Sequence, residues 1–164
     1  MKTLLLLRHA KSSWKDAGLQ DFDRPLNERG KKAAEMIGRF IRNKQVAPDL
    51  LVCSPALRAR ETIEIVIKTG KLRSELRYDE RIYEASPLRL LEVVSQIEEE
   101  RKIVVLVGHN PGMEELLRLM TDRVEHMTTG TLARINFTVA RWEKVPDEKG
   151  ILEWIVRPKD VADR

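Results

Sequence analysis

The sequence has little of what most metal centres and disulfide-bonded folds require, because its 164 residues include one cysteine and three histidines. A single cysteine excludes a disulfide framework and any zinc site built on cysteine ligands. Long apolar runs are also missing. The stretches 4–7 and 103–107 are shorter than the ~7–15 residues of a signal-peptide core or the ~20 of a transmembrane helix. We therefore expect a soluble, reduced, cytoplasmic protein with no membrane partner.

Blocks of like charge are absent as well. Lys and Arg number 30 against 26 Asp and Glu, for a formal net charge of +4, and both signs are interspersed along the chain. This pattern gives no support for a nucleic-acid-binding tail. Hydrophobic residues make up 42% of the chain, which is enough to form a core. At this length we expect one domain, covering residues 1–164.

Short apolar runs alternate with helical patterns through most of the chain. Three runs are typical of strands buried on both faces, namely residues 3–7, 50–53 and 103–107. Apolar residues at three- and four-residue spacing indicate amphipathic helices around residues 33–41, 59–67, 90–97 and 113–120. This alternation predicts an α/β fold, a three-layer α/β/α sandwich with a mostly parallel central sheet.

The last third of the chain has a different pattern. Apolar and polar residues alternate over residues 133–139, which is typical of a half-exposed strand. Residues 145–150 have the composition of a turn, and residues 151–156 follow as a further strand. We expect this hairpin to close one side of the sheet.

The three buried runs end in residues that suit the binding of an anion. The first ends in Arg8-His9, the second is followed by Ser54-Pro55 and then Arg58, and the third leads into His109. Ligands of parallel sheets bind outside the carboxyl ends of the strands. If the strands are parallel, two arginines and two histidines therefore converge on one crevice.

Two predicted helix starts strengthen this expectation. Ser54-Pro55 and Asn110-Pro111 each place a capping side chain before a proline at the expected first helical position. The backbone N–H groups at a helix N-terminus attract anions. The combination predicts a phosphate-sized anion site.

A metal site is the competing interpretation, since His9, His109 and His126 could in principle form a three-histidine centre. Arg8 and Arg58 would lie beside it, and cations next to a cation site are unfavourable. The strand ends supply no Asp or Glu ligands either. We therefore predict no metal and interpret His126 as a surface residue. Cys53, at the end of a buried run, is interpreted as a core residue.

Four ordered segments carry a resemblance to a known family. The segment Leu7-Arg8-His9-Ala10 resembles the R-H-G/A signature of the histidine phosphatase superfamily, which is phosphoglycerate mutase-like in fold. Residues 8–14 are most similar to its SixA-like phosphohistidine phosphatase branch, where alanine replaces the usual glycine. Further segments resemble D-x-P-L-T/N-x-x-G at 23–30, S-x-x-x-R-A-x-x-T at 54–62 and V-x-H-N at 107–110. The resemblance covers residues 7–112 and is weaker beyond them.

The resemblance implies a mechanism without metal or cofactor. His9 would attack phosphorus and carry a covalent phosphoryl group, which water then removes. Arg8, Arg58 and His109 would hold the phosphoryl oxygens, where charge accumulates in the transition state. A nucleophilic imidazole must be neutral, and the two arginines favour that form.

The remaining roles stay open at the level of sequence. Glu80 is the favoured proton donor by its position in the segment 79–84, followed by Glu84, and a surface acid on a charged loop fits as well. Lys11, Ser12 and Asn110 are candidate substrate-binding residues, with a solvated loop as the alternative for the first two. Trp14 would line the mouth of the site or anchor its loop.

The lack of any inserted cap domain bears on the substrate. Larger relatives use such insertions to enclose small metabolites, so an open crevice favours a phosphoryl group displayed on a protein. We predict a phosphohistidine phosphatase acting on a partner protein. The alternatives are a general small-molecule phosphomonoesterase and a non-catalytic phosphoprotein-binding module.

Overall fold

The computed structural model describes residues 1–162, which fold around one six-stranded sheet in the order β3-β2-β4-β1-β5-β6. The strands are β1 Lys2–Arg8, β2 Leu50–Cys53, β3 Glu75–Tyr78, β4 Ile103–Gly108, β5 Leu132–Phe137 and β6 Ile151–Val156. The first four strands are parallel to one another. Strand β5 runs antiparallel to β1, and β6 runs antiparallel to β5. The predicted α/β fold with a mostly parallel sheet is confirmed.

Helices cover both faces of this sheet and give the three layers. They are α1 Glu28–Asn43, α2 Leu57–Gly70, α3 Pro87–Ser95, α4 Gly112–Thr121 and α5 Pro158–Ala162. Short 3-10 helices occupy Asp21–Asp23, Glu80–Ile82 and Trp142–Asp147. Among the described residues, no helix is both long enough and apolar enough to cross a bilayer. Of the domain predicted over residues 1–164, positions 163 and 164 lie outside the described residues.

Strand β1 divides the apolar interior into two cores because its side chains alternate between the faces of the sheet. Leu5 and Leu7 pack in one core with apolar residues of α1 and α2, whereas Leu4 and Leu6 pack in the other with those of α3 and α4. All four leucines are completely buried. The uninterrupted apolar run therefore reflects a central strand covered on both sides.

Three local features differ from the prediction. Strand β3 was not predicted, because its polar sequence Glu-Leu-Arg-Tyr forms an exposed edge strand and lacks an apolar run. The turn predicted over residues 145–150 is wrong for its first half, since a 3-10 helix runs over Trp142–Asp147 and buries Trp142 and Val145. The predicted strand over residues 133–139 ends at Phe137. Strands β5 and β6 nevertheless pair antiparallel at one edge, as predicted.

Candidate active site

The carboxyl ends of β1, β2 and β4 meet at one edge of the sheet and bring the predicted residues together. His9 follows β1 and His109 follows β4, and their ring centroids lie 5.0 Å apart. Arg58 is the second residue of α2, and Arg8 is the last of β1. Both guanidinium groups act electrostatically on both imidazoles. The convergence inferred from the strand ends is therefore present in the structure.

The helix starts differ from the sequence prediction. Helix α2 begins at Leu57 with Ala56 as its N-cap, and α4 begins at Gly112 with Pro111 as its N-cap. Neither N-cap residue makes a side-chain capping bond. Ser54 and Asn110 thus precede the assigned N-caps, and both helices begin later than predicted. Asn110 Oδ1 still accepts from the backbone N–H of Glu114 in the first turn of α4 at 3.3 Å, and Ser54 Oγ accepts from that of Ala56. Their side chains also bond within the site and the adjoining loop.

The ring of His9 is fixed by the backbone next to it. Its Nδ1 lies 2.7 Å from the carbonyl oxygen of Ala10. Because a carbonyl only accepts, Nδ1 must carry a proton and donate it, which leaves the lone pair on Nε2. The N–H of Ala10 donates to Thr62 Oγ1 at 3.0 Å, and the Thr62 hydroxyl donates to the Arg58 carbonyl. The first two turns of α2 therefore support the segment that positions His9.

Both imidazoles are held in the neutral form. Burial is the main cause that lowers the pKa of His9 to about 4, followed among the charged groups by Arg58, Arg8 and Arg24. Burial likewise lowers the pKa of His109 to about 3, with His9, Arg58 and Arg8 adding to the shift. The sequence interpretation assigned this effect to the arginines. Desolvation contributes more, because both rings are almost completely buried.

Three buried nitrogen atoms of the site have no hydrogen-bond partner among residues 1–162: Arg8 Nε, Arg58 Nε and His109 Nδ1. Nη atoms of both guanidinium groups, in contrast, donate hydrogen bonds to other residues of the protein. Arg8 Nη1 donates to the carbonyl of Met127 at 2.9 Å, and the two Nη atoms of Arg58 donate to Asp21. Nearly all buried polar atoms in folded proteins are partnered. Unpartnered nitrogens on two arginines and a histidine in one place are suited to a bound oxyanion.

Asp21 is a site residue that the sequence reasoning missed. Its Oδ2 accepts from Arg58 Nη2 at 3.0 Å and from the hydroxyl of Tyr83 at 2.6 Å, and its Oδ1 accepts from Arg24 at 3.2 Å. These contacts, with the Tyr83 bond as the largest cause, lower the pKa of the Asp21 carboxyl to about 2. Because of this low pKa, the Asp21 carboxylate is ionised at neutral pH. Asp21 lies just before the matched segment 23–30. No feature of the sequence marked it.

Arg24 is a second residue that was missed, although it lies inside the matched segment. It is buried, with an exposed fraction of 7%. Its Nη1 donates to Ser12 Oγ at 2.7 Å, and its guanidinium carbon lies 3.5 Å from the ring centroid of Trp14. Arg24 thus adds a third positive charge near His9 and holds the loop that follows the nucleophile.

Tyr83 packs against the second histidine and was not assigned a role from sequence. Its ring meets that of His109 edge-on, with centroids 5.5 Å apart, and meets Phe22 edge-on at 5.1 Å. Burial and the bond to Asp21 raise the pKa of Tyr83 to about 12. The neutral phenol therefore serves as a donor to Asp21.

The predicted proton donors lie at the surface. Glu80 begins the 3-10 helix Glu80–Ile82, and both Glu80 and Glu84 are exposed. Within the part of the chain that the structure describes, no contact joins Glu80 to either histidine. The carboxylate that does contact Arg58 is Asp21. The role of Glu80 as an acid stays a prediction.

The substrate-binding candidates occupy different environments. Lys11 is exposed, and Ser12 is partly buried with its hydroxyl bonded to Arg24. The amide of Asn110 donates to Glu114 Oε1 at 3.0 Å and to the Met127 carbonyl at 2.9 Å. Asn110 therefore braces the loop whose carbonyl also receives Arg8. The Trp14 ring lies against the Arg24 guanidinium and is 76% exposed, which fits the anchoring role considered for it, while its place at the mouth of the site stays a prediction.

His126 stands apart from the other histidines. Its side chain is 89% exposed and lies 3.8 Å from Glu114. Within residues 1–162, no three His, Cys, Asp or Glu side chains are grouped as metal ligands. Cys53 is buried, and burial raises the pKa of its thiol well above the usual range.

Comparisons with known proteins agree with this geometry. Residues 4–87 match the family model of the histidine phosphatase superfamily, branch 1. An uncharacterized protein of Mycobacterium tuberculosis is 38% identical over 110 residues, which are 67% of this chain and 66% of that protein. The match thus spans slightly less than two thirds of that relative's length.

Two solved structures share the whole fold. A protein from Agrobacterium tumefaciens, assigned provisionally as the phosphohistidine phosphatase SixA, is 30% identical with a TM-score of 0.83, covering 96% of this chain and 98% of that one. A protein from Nakamurella multipartitia with the same provisional assignment is 25% identical with a TM-score of 0.86, covering 96% of each chain.

Proposed function

The chain belongs to the histidine phosphatase superfamily, branch 1, with a SixA-like structure, and on that premise we propose that it is a metal-independent phosphatase that acts through His9. The observation that carries the proposal is the set of unpartnered buried nitrogens on Arg8, Arg58 and His109. The side chains that carry them lie close to, or act electrostatically on, the neutral imidazole of His9, whose Nε2 bears a lone pair. A phosphoryl group offers the oxygens that such donors bind.

The first half of the reaction transfers the phosphoryl group to the enzyme. The Nε2 lone pair of His9 forms a bond to phosphorus while the bond to the leaving group breaks, and the leaving group takes that electron pair. The imidazole gains positive charge as it is phosphorylated, and its Nδ1–H bond to the Ala10 carbonyl stabilises that charge. Arg8, Arg58 and His109 stabilise the negative charge on the phosphoryl oxygens.

The second half returns the enzyme to its starting state. A water molecule attacks phosphorus, and the bond between phosphorus and His9 Nε2 breaks with its electron pair returning to the nitrogen. The oxygen of the water and both of its protons leave with the phosphoryl group as inorganic phosphate. The same arginines serve both halves, because the phosphoryl oxygens carry the charge in each.

Protein-bound phosphohistidine is the proposed substrate class. Asp21, which contacts Arg58, is ionised at neutral pH and has no proton to donate. An imidazole leaving group, whose conjugate acid has a pKa near ~6.5, departs without a strong acid, whereas an alkoxide needs one. Because the carboxylate that contacts Arg58 cannot supply that proton, we infer that phosphohistidine is favoured over alkyl phosphates. The naming of both structural neighbours as SixA points the same way.

The test uses three probes that differ in their leaving group: a histidine-phosphorylated peptide, an aryl phosphate and glycerol phosphate, each with EDTA present. We expect the phosphopeptide to be hydrolysed fastest and glycerol phosphate slowest. Rapid quenching followed by mass spectrometry should find the phosphoryl group on His9. His9→Ala should abolish turnover, while His126→Ala serves as the matched control and keeps it.

Other outcomes contradict specific parts of the proposal. Equal rates on glycerol phosphate and phosphopeptide would make the chain a general phosphomonoesterase. Tight binding of the phosphopeptide without release of phosphate would make it a binding module. Label on His109 would reverse the roles of the two histidines, and loss of activity in EDTA would overturn the metal-independent mechanism.

A further inference from the structure

Ser54 lies between β2 and α2 and contacts the second histidine of the site. It is completely buried. Its Oγ is 2.7 Å from His109 Nε2, and it accepts a hydrogen bond from the backbone N–H of Ala56 at 3.3 Å. Ser54 is not one of the residues whose nitrogens would bind the phosphoryl group.

The protons around Ser54 can be assigned from the requirements of its neighbours. A hydroxyl has one hydrogen to donate, and Ala56 N–H uses its oxygen as an acceptor. If Ser54 donates to Nε2 of His109, every polar atom of this pair except His109 Nδ1 is satisfied. If Nε2 carried the proton instead, the buried hydroxyl hydrogen would have no acceptor among the described contacts, which is unfavourable for a buried donor. The first arrangement is therefore favoured.

This assignment determines what His109 presents to the site. With Nε2 accepting from Ser54, the proton of the neutral ring is on Nδ1, the nitrogen that has no partner among residues 1–162. An Nδ1–H group donates to a phosphoryl oxygen. The other tautomer would place a lone pair at Nδ1 and repel that oxygen. The neighbouring Arg8 and Arg58 interact electrostatically with the His109 ring. The Nδ1–H group of His109 therefore lies near two positive charges that attract anions.

We propose that Ser54 is a positioning residue that fixes the tautomer of His109, so that its Nδ1–H donates to the transferred phosphoryl group. The inference rests on the proposed phosphatase function and deepens it. Both histidines then carry their proton on Nδ1, but with opposite consequences. In His9 the Nδ1–H group donates to the Ala10 carbonyl, so Nε2, with its lone pair, is the nucleophile. In His109 the Ser54 hydroxyl donates to Nε2, so the Nδ1–H group is the donor to the phosphoryl group.

The direct test is nitrogen NMR of the imidazole side chains at neutral pH, which distinguishes a protonated from an unprotonated ring nitrogen. We expect His109 in the unaltered protein to show a protonated Nδ1 and an unprotonated Nε2. Ser54→Ala removes the donor to Nε2 and should shift the signals toward the Nε2–H tautomer. Ser74→Ala is the matched control, because its hydroxyl donates to the Pro48 carbonyl, away from the site.

A second measurement links the tautomer to function. Ser54→Ala should lower kcat/KM for an aryl phosphate about 10- to 100-fold, which is less than the ~10²–10³ expected for complete loss of an oxyanion donor. It should also weaken the binding of inorganic phosphate. Ser54→Thr keeps the hydroxyl and should restore both values. If the extra methyl group disrupts packing, the Ser54→Ala result decides alone.

The outcomes separate this inference from the proposed function. A proton on Nε2 of His109 in the unaltered protein overturns the assignment, whatever the activity. Unchanged tautomer and unchanged kcat/KM in Ser54→Ala also overturn it. Because the NMR and phosphate-binding measurements need no turnover, the assignment can hold even if the chain hydrolyses none of the probes. In that case only the proposed function fails.

Discussion

The two ends of the central sheet use arginine in opposite ways. Where β2, β3 and β4 begin, Arg101 and Arg77 form ion pairs with Glu75 and Glu98 in an exposed network. Arg101 also donates to the carbonyl of Asp49. Where the strands end, Arg8 and Arg58 are substantially buried, and each keeps an unpartnered Nε among the described residues.

This difference separates arginines that serve the fold from those that serve chemistry. Exposed ion pairs contribute little to stability because water already solvates both partners well. Buried donors without partners are costly, so a fold retains them where a ligand supplies the missing acceptor. Positive charge alone did not distinguish the two ends, since both carry arginines. At these two ends the distinction lies in the Nε atoms, which are buried and unpartnered in Arg8 and Arg58, whereas Arg101 Nε donates to Glu98.

Among the arginine substitutions at the two ends, the largest expected effect is that of removing Arg58. Arg58→Ala should lower kcat/KM for an aryl phosphate by about 10²–10³, because it removes a donor to the transition-state oxygens. Arg58→Lys should recover only part of this, since an ammonium cannot reproduce the guanidinium fork. Steady-state kinetics check both variants. A comparable loss in Arg101→Ala would erase the distinction between the two ends.

The pH dependence of stability should also differ between the ends. His9 and His109 have pKa values of about 4 and about 3 when folded, against ~6.5 in an unfolded chain. The unfolded state therefore binds more protons, and the free energy of unfolding should fall as the pH decreases from ~6.5 toward 4. The slope is at most about 1.4 kcal/mol per pH unit for each histidine.

Urea denaturation across this pH range measures the effect. His9→Gln should reduce the slope between pH 6.5 and 4.5, whereas the matched change His126→Gln should leave it nearly unaltered. At the other end, Arg101 and Arg77 lower the pKa values of Glu75 and Glu98, so that network titrates only at more acidic pH. An unchanged slope in His9→Gln would contradict the neutral, buried state of this imidazole.

A smaller effect is expected from Tyr83→Phe. The change keeps the ring contacts with His109 and Phe22 but removes the hydroxyl that donates to Asp21. The pKa of the Asp21 carboxyl should rise toward its ordinary value, and kcat/KM should change by about 2- to 10-fold, as expected for one hydrogen bond. Tyr78→Phe on the exposed edge strand is the matched control. Identical kinetics for both variants would show that the Tyr83 hydroxyl is dispensable.

The smallest expected effect is that of Arg101→Ala. It removes contacts with Glu75, Glu98 and the Asp49 carbonyl at the surface. We expect a slight decrease in the urea midpoint and an unchanged kcat/KM, because solvent replaces these partners. A large loss of stability would show that the exposed network holds the starts of the strands more firmly than its exposure implies.

The parts of the molecule that could be predicted from sequence are those encoded by local pattern. The buried runs of β1, β2 and β4 are recognisable because both faces are covered, and they locate Arg8, His9 and His109 at their ends. Strand β3 could not be predicted, because an exposed edge strand needs no apolar run.

The rest of the site depends on long-range contacts. Asp21 and Tyr83 are separated by 62 positions, and no local pattern relates a loop carboxylate to a distant phenol. The starts of α2 and α4 were misplaced because Ser-Pro and Asn-Pro are common capping sequences. In the structure, Ser54 and Asn110 bond to His109 and Glu114.

The division of the interior by β1 has a consequence for the precision of the site. Arg58 is carried by α2, which packs in the core on one face, whereas His109 leads into α4, which packs in the core on the other. The separation of these two groups is therefore set by the thickness of the sheet and its two helical layers together. Repacking either core would alter the distance between Arg58 and His109. The geometry of the site therefore depends on the packing of both cores.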